Sequence, residues 1–195
     1  MLRVAFDCLP RPDWPRVSTV FASRYGDLTA TVELLESLAS EHPLTANRFS
    51  HSVHNTQAAL FSIIAANRQA SAAVAAGRDT FPCAFLEALG ALERGNGESV
   101  LLAVGDEPLP SVFREFTDGP VASYAVAFLL APADEGLDGI ALELCVGAPD
   151  AEPSWPRAIA FLRWYLSGEP ALALGAPQRL WRWTRAQRAE AASSR

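Results

Sequence analysis

The chain has 195 residues, half of them hydrophobic and 19% charged, which suits one globular domain able to bury a sizeable core. Its formal charge is −6 and it has no lysine, all 16 basic residues being arginine; lysine Schiff-base chemistry and the P-loop lysine are excluded, and general affinity for nucleic acid is disfavoured. The longest apolar runs, such as 125–131, fall far short of the ~20 residues that span a bilayer, no signal-peptide pattern opens the chain, and Cys8, Cys83 and Cys145 suit reduced thiols: a cytoplasmic protein with no membrane partner is expected.

Leu2, Phe6 and Leu9 recur at helical spacing and stop at Pro10, with no capping residue before them, so the chain is expected to open inside a helix, as a truncated beginning would. Pro10, Pro12 and Pro15 lead stiffly into Val17–Ser23, which has the β-branched content of a buried strand. Asp27 can cap the next helix, with Leu28, Val32, Leu35 and Leu38 on one face. Glu41–Asn55 reads as an ordered loop, and Thr56–Ala66 as a helix whose small residues, among them Ala58, Ala59 and Ser62, allow close packing.

The run Ser71, Ala72, Ala73, Val74, Ala75 and Ala76 reads as a strand that halts at Gly77 and feeds a helix from Thr80 to about Glu93, closed by Gly95-Asn96-Gly97. In α/β proteins such an elbow presents a nucleophile at the carboxyl end of a strand, yet Gly77 has no side chain. Glu98–Gly105 is a continuous apolar strand of the doubly covered, parallel kind. Beyond a segment marked by Pro108, Pro110 and Pro120, Val121–Leu130 is expected to pair antiparallel with Ile140–Val146 across Asp134-Glu135-Gly136. Trp155–Leu166 is an amphipathic helix, and the alternation of Arg179, Trp181, Trp183 and Arg185 suggests an edge strand followed by a frayed basic tail from Ala186.

Few residues suggest chemistry. Cys83 with His51 or His54 would make a thiol nucleophile and base, but its company of Phe81, Phe85 and Leu86 is that of a buried small hydrophobe. Three histidines between residues 42 and 54 make a poor metal constellation, so no metal is expected. Asp106 and Glu107 end a strand where paired carboxylates would act as acid and base; adjacent residues on an extended chain point to opposite sides, which favours loop hydrogen bonding or an ion pair with Arg78 or Arg114. Arg24-Tyr25-Gly26 reads as a turn with a solvated arginine. The Trp/Arg alternation near the carboxyl terminus suits tryptophans packed on the domain under stacked arginines better than a platform for single-stranded nucleic acid.

The segment Phe49-Ser50-His51-Ser52-Val53-His54-Asn55, the small-residue helix after it, Asn67-Arg68-Gln69-Ala70-Ser71 and the elbow resemble, in that order, the amino-terminal half of β-ketoacyl synthases. The likeness is to the short subfamily of chain length factors found with aryl polyene and related polyketide or fatty-acid pathways. It covers about residues 17–146, and Phe161–Pro170 and the Trp-Arg-Trp stretch also look like that subfamily. The resemblance implies half of a thiolase-like α/β fold, a mixed, mostly parallel sheet flanked by helices and truncated at its amino terminus. The expected division is a ketoacyl-synthase-like domain over 1–170 and a Trp/Arg strand and tail over 171–195.

In that alignment Gly77 falls where a condensing enzyme carries its cysteine, and the second half with both catalytic histidines is missing, so no catalytic residue and no cofactor are expected. The resemblance implies a heterodimer with an active ketoacyl synthase, acyl carrier protein being reached through that partner. Ser71–Ala76 would pair with the partner's equivalent strand, with Ala58, Ala59 and Ser62 near the same interface, and Leu60, Phe61 and Phe81 would close the partner's acyl tunnel. A freestanding acyltransferase or hydrolase using Cys83, and a scaffold that leaves product length alone, are the alternatives.

Overall fold

In the computed structural model, which describes residues 1–95, 99–116, 122–133, 139–148 and 154–186, the chain divides into two compact units, Met1–Ala131 and Pro132–Arg195. In the first unit β1 (Ser18–Ala22) pairs in parallel with β2 (Ser71–Val74) on one side and β3 (Val100–Asp106) on the other. β4 (Tyr124–Leu130) adds antiparallel to β3, giving the order β2-β1-β3-β4. The sheet is therefore mixed and mostly parallel, with helices on both faces, as expected.

Strand alternation assigns the two layers. On one face Phe21, Leu101 and Ala103 meet Ala5 of α1 (Leu2–Asp7) and Phe61 of α4 (Thr56–Ile64). The Phe61 ring is stacked 4.8 Å from Phe6 and tilted 5.7 Å from Phe21. On the opposite face α5 (Thr80–Arg94) sets Phe81 6.1 Å from Phe128 of β4. Cover on both sides explains why β3 is buried from Val100 to Gly105 and reads as one apolar run. Buried Asn67 ties the loops together, its amide donating to the carbonyls of Trp14 and Val17 at 2.5 and 2.8 Å and its Oδ1 accepting from Gln69 N.

Three expectations for this unit need correction. Glu41–Asn55 is not all loop: Thr45 accepts a hydrogen bond from Arg48 N and so caps a short helix, α3 (Ala46–His51). Asp27 does cap α2 (Leu28–Ala39), but Leu34 is its buried leucine while Leu35 and Leu38 are 58% and 61% exposed. Apolar residues at 28, 32, 34, 35 and 38 spread over more than one face, so periodicity alone did not select the covered one. Finally, Ile140–Val146 does not pair with β4, whose partner is β3.

In the second unit β5 (Gly139–Cys145) and β6 (Ala171–Ala176) flank β7 (Arg179–Ala186), all antiparallel. The Trp/Arg segment is thus the middle strand, not an edge, and elements on either side of residue 170 share one sheet. A single sequence shows that a strand alternates, but not how many neighbours it has. Trp183 is fully buried, edge-on to Phe161 of α6 (Arg157–Ser167), 5.7 Å away. Arg185 lies over the rings of Trp164 and Tyr165 and donates to the carbonyls of Trp164, Tyr165 and Glu169, closing the carboxyl end of α6. Gly168, at φ 79°, makes the left-handed turn after it. The turn at 134–136, Asn96, Gly97, Pro120, Val121 and the tail after Ala186 lie outside the described residues.

Candidate functional site

The elbow after β2 has the form that the sequence suggests. Gly77 adopts φ 58°, and a side chain built on it would meet no atom within 4 Å. The turn is knotted by Thr80, whose hydroxyl donates to Gly77 O at 2.8 Å and accepts from Ala76 N at 3.0 Å, while Asp79 N donates to Ala76 O. The left-handed backbone and the open space that suit an exposed nucleophile are both present, and the nucleophile is not.

Among the described residues β2 is an edge strand with one partner, and its burial alternates between exposed and half-buried. Thr19 N donates to Ala70 O and Ser23 N to Val74 O, so even-numbered residues face β1. The backbone groups of Ser71 and Ala73 therefore point away from the sheet, donors and acceptors open to another strand. On α4, Ala58 is buried, Ser62 and Leu60 are half-buried and Ala59 is exposed. Phe61 and Phe81, at 1% and 3% exposure, are core rings, Phe61 beneath α4 and Phe81 beneath α5.

A cavity of about 380 Å³ opens at the carboxyl ends of β1 and β3. From β1 the chain proceeds to β2 on one side and then returns to β3 on the other, so the crevice lies at the topological switch point, where ligands of open α/β sheets bind. Phe21, Leu28, Val53 and Leu109 give it apolar wall; Tyr25, His51, His54, Gln57, Asp106 and Tyr124 give it polar wall. Because β1 and β2 are parallel and adjacent, the elbow opens on the same edge of the sheet as the crevice.

Asp106 organises this edge. Its Oδ1 accepts from Ser23 Oγ and Arg24 N, both at 2.7 Å, and its Oδ2 accepts from the Tyr124 hydroxyl at 3.0 Å. Burial, then the Asp106 charge and the hydrogen bond to it, hold the Tyr124 phenol far above the usual range, with Arg24 opposing, so Tyr124 remains a donor. Gly105 lets β3 and β4 approach this closely: a β-carbon there would lie 2.7 Å from Tyr124 O. Across the cavity His54 Nε2 lies 2.8 Å from Ser23 O.

Serine, histidine and aspartate thus meet without forming a catalytic triad. Ser23 Oγ gives its proton to the carboxylate, and His54 touches the serine's backbone carbonyl instead of its hydroxyl, so nothing activates the oxygen. Cys83 is half-buried in the first turn of α5, outside any disulfide among the described residues, and is not part of the wall that holds His51 and His54. The loop-anchoring role expected for Asp106 is present; Tyr124, its cross-strand partner in the β3/β4 register, carried no signal in the sequence.

The family described as "Beta-ketoacyl synthase, N-terminal domain" matches residues 1–184. No curated protein matches the chain. Among solved structures, a chain of the ketosynthase (ApeO) in complex with its chain length factor (ApeC) from Xenorhabdus doucetiae is similar at 28% identity and a TM-score of 0.79, over 94% of this chain and 76% of that one. The ishigamide ketosynthase/chain length factor is similar at 17% identity and a TM-score of 0.57, over 80% of this chain and 48% of that one, a likeness of fold alone.

Proposed function

The chain belongs to the β-ketoacyl synthase N-terminal domain family, and from that premise we propose that it is a chain length factor, a noncatalytic subunit that pairs with an active ketosynthase in polyketide or fatty-acid synthesis of the aryl polyene type. One observation carries the proposal: the elbow keeps the left-handed geometry of a nucleophile site at Gly77 while offering no nucleophile. A chain that keeps the frame without the reactive group shapes a site completed by another subunit. The ketosynthase and chain length factor complex of X. doucetiae supports that kind of partner. Carrier protein would then deliver acyl groups through the partner.

The partner docks, in this proposal, on the free edge of β2. Ser71 and Ala73 offer outward backbone groups, and the small side chains from Ser71 to Ala76 let another backbone approach. The acyl chain, anchored on the partner, crosses near the elbow and ends in the cavity between β1 and β3, whose size is in the range that binds small ligands. Leu60, half-buried on α4, remains a wall residue of the path; Phe61 and Phe81 support it from the core. Co-expression with a ketosynthase and purification through a tag on this chain tests the pairing. A stoichiometric complex that loads acyl groups only on the partner is expected, whereas a stable acyl adduct on Cys83 would overturn the noncatalytic assignment.

A further inference from the structure

We propose that α6 is the docking site for α2 of a second copy of this chain, the two helices packing antiparallel. α6 is apolar on more than the face that covers its sheet. Ala158, Phe161 and Trp164 are buried, yet Ile159, Leu162 and Leu166 make a second stripe at i, i+3, i+7 spacing on the outward side, half-buried at the first two positions and 74% exposed at Leu166. Arg163 flanks that stripe, its guanidinium 5.4 Å from the ring of exposed Trp155. A helix that is apolar on both sides calls for cover on both.

α2 carries the matching stripe. Val32, Leu35 and Ala39 repeat the i, i+3, i+7 spacing on the side away from buried Leu34, and Leu35 and Ala39 are exposed. Glu36 stands four residues after Val32, as Arg163 stands four after Ile159, so the two charges hold the same position beside the two stripes. Like positions on two helices meet when the helices run antiparallel. In the register that sets Leu35 against Leu166, Ala39 falls against Leu162 and its small side chain admits the leucine, while Glu36 comes within reach of Arg163. Neither of these charges has an ion-pair partner among the described residues, whereas Glu33 is already held by Arg48 of α3 at 3.0 Å. α2 holds two glutamates and no arginine, and α6 two arginines and no acidic residue. Copies of α2 therefore repel one another, as do copies of α6, and the mixed pair is favoured. The contact leaves the edge of β2 unused and is independent of the ketosynthase pairing.

The test follows the full chain by sedimentation velocity. The wild type should self-associate at high micromolar concentration, Arg163→Glu should weaken the association roughly tenfold or more, and adding Glu36→Arg to Arg163→Glu should restore it. Both residues are exposed, so the reversals leave the core alone. Ala73→Pro, which removes an outward N–H of β2, should associate as the wild type does. A second measurement assigns the surfaces. A Leu35→Cys chain mixed with a Leu166→Cys chain should form a disulfide-linked dimer on mild oxidation, and neither chain alone should do so beyond the wild type, which shares Cys8, Cys83 and Cys145. A monomeric wild type, association indifferent to Arg163→Glu or not restored in the double variant, association lost in Ala73→Pro, or crosslinks that form as well in either single-variant chain as in the mixture would overturn the inference.

Discussion

Asp106 shows how one carboxylate can set a site without performing chemistry in it. It fixes the turn after β1, the end of β3 and the start of β4 together. Tyr124→Phe removes one hydrogen bond to a charged group and should cost about 1.5–3 kcal/mol by chemical denaturation. The pH dependence has a definite sign. The phenol is raised in the folded protein, so its contribution is complete below the unfolded value of about 10 and is lost as pH rises toward the folded value. Between about pH 9 and 11 the wild type should therefore lose stability more steeply than Tyr124→Phe; parallel pH profiles would show that the pair is not coupled in this way. At Gly77 the penalty is conformational: Gly77→Ala meets no atom but puts a β-carbon at φ 58°, which should cost about 1–2 kcal/mol. An unchanged midpoint would mean that the elbow relaxes.

Among the elements, β2 carries the strongest claim. Ala73→Pro deletes an outward N–H that no strand among the described residues uses, so the isolated chain should retain most of its stability while the complex is lost. Analytical ultracentrifugation of the mixed subunits reads this directly, and a complex of undiminished affinity would move the interface elsewhere. Phe81→Ala tests the other side of the sheet. A ring at 3% exposure packed on Phe85 and Phe128 should cost about 3–5 kcal/mol when removed, from loss of core packing alone. The strand–elbow–helix unit from Ser71 to Arg94 was legible because its signals are local: an apolar run, a glycine at the break and a helical pattern after it. The partners of β4, β5 and β7 were not, because antiparallel neighbours are chosen by distant segments, and turn-forming residues between two strands do not oblige them to pair. Asp106 at the end of β3 was visible as an anchor, whereas the cavity beside it requires residues from 1 to 125 to converge and has no linear signature.

At the scale of the whole molecule, the first unit exposes apolar side chains, including Leu35, Leu38, Ile63 and Ile64, besides the open edge of β2. Among the described residues no helix is long and apolar enough to cross a membrane. The central claim is that this chain sets the length of what its partner makes, and the volume of the cavity is the variable that decides it. The most direct measurement expresses Val53→Trp with the ketosynthase, confirms the intact complex by size, and compares by mass spectrometry the acyl lengths released with those of the wild type. A shift of the distribution to shorter products at unchanged complex stoichiometry is the predicted result; an intact complex whose product distribution is indistinguishable from the wild type would contradict it and leave the chain a scaffold.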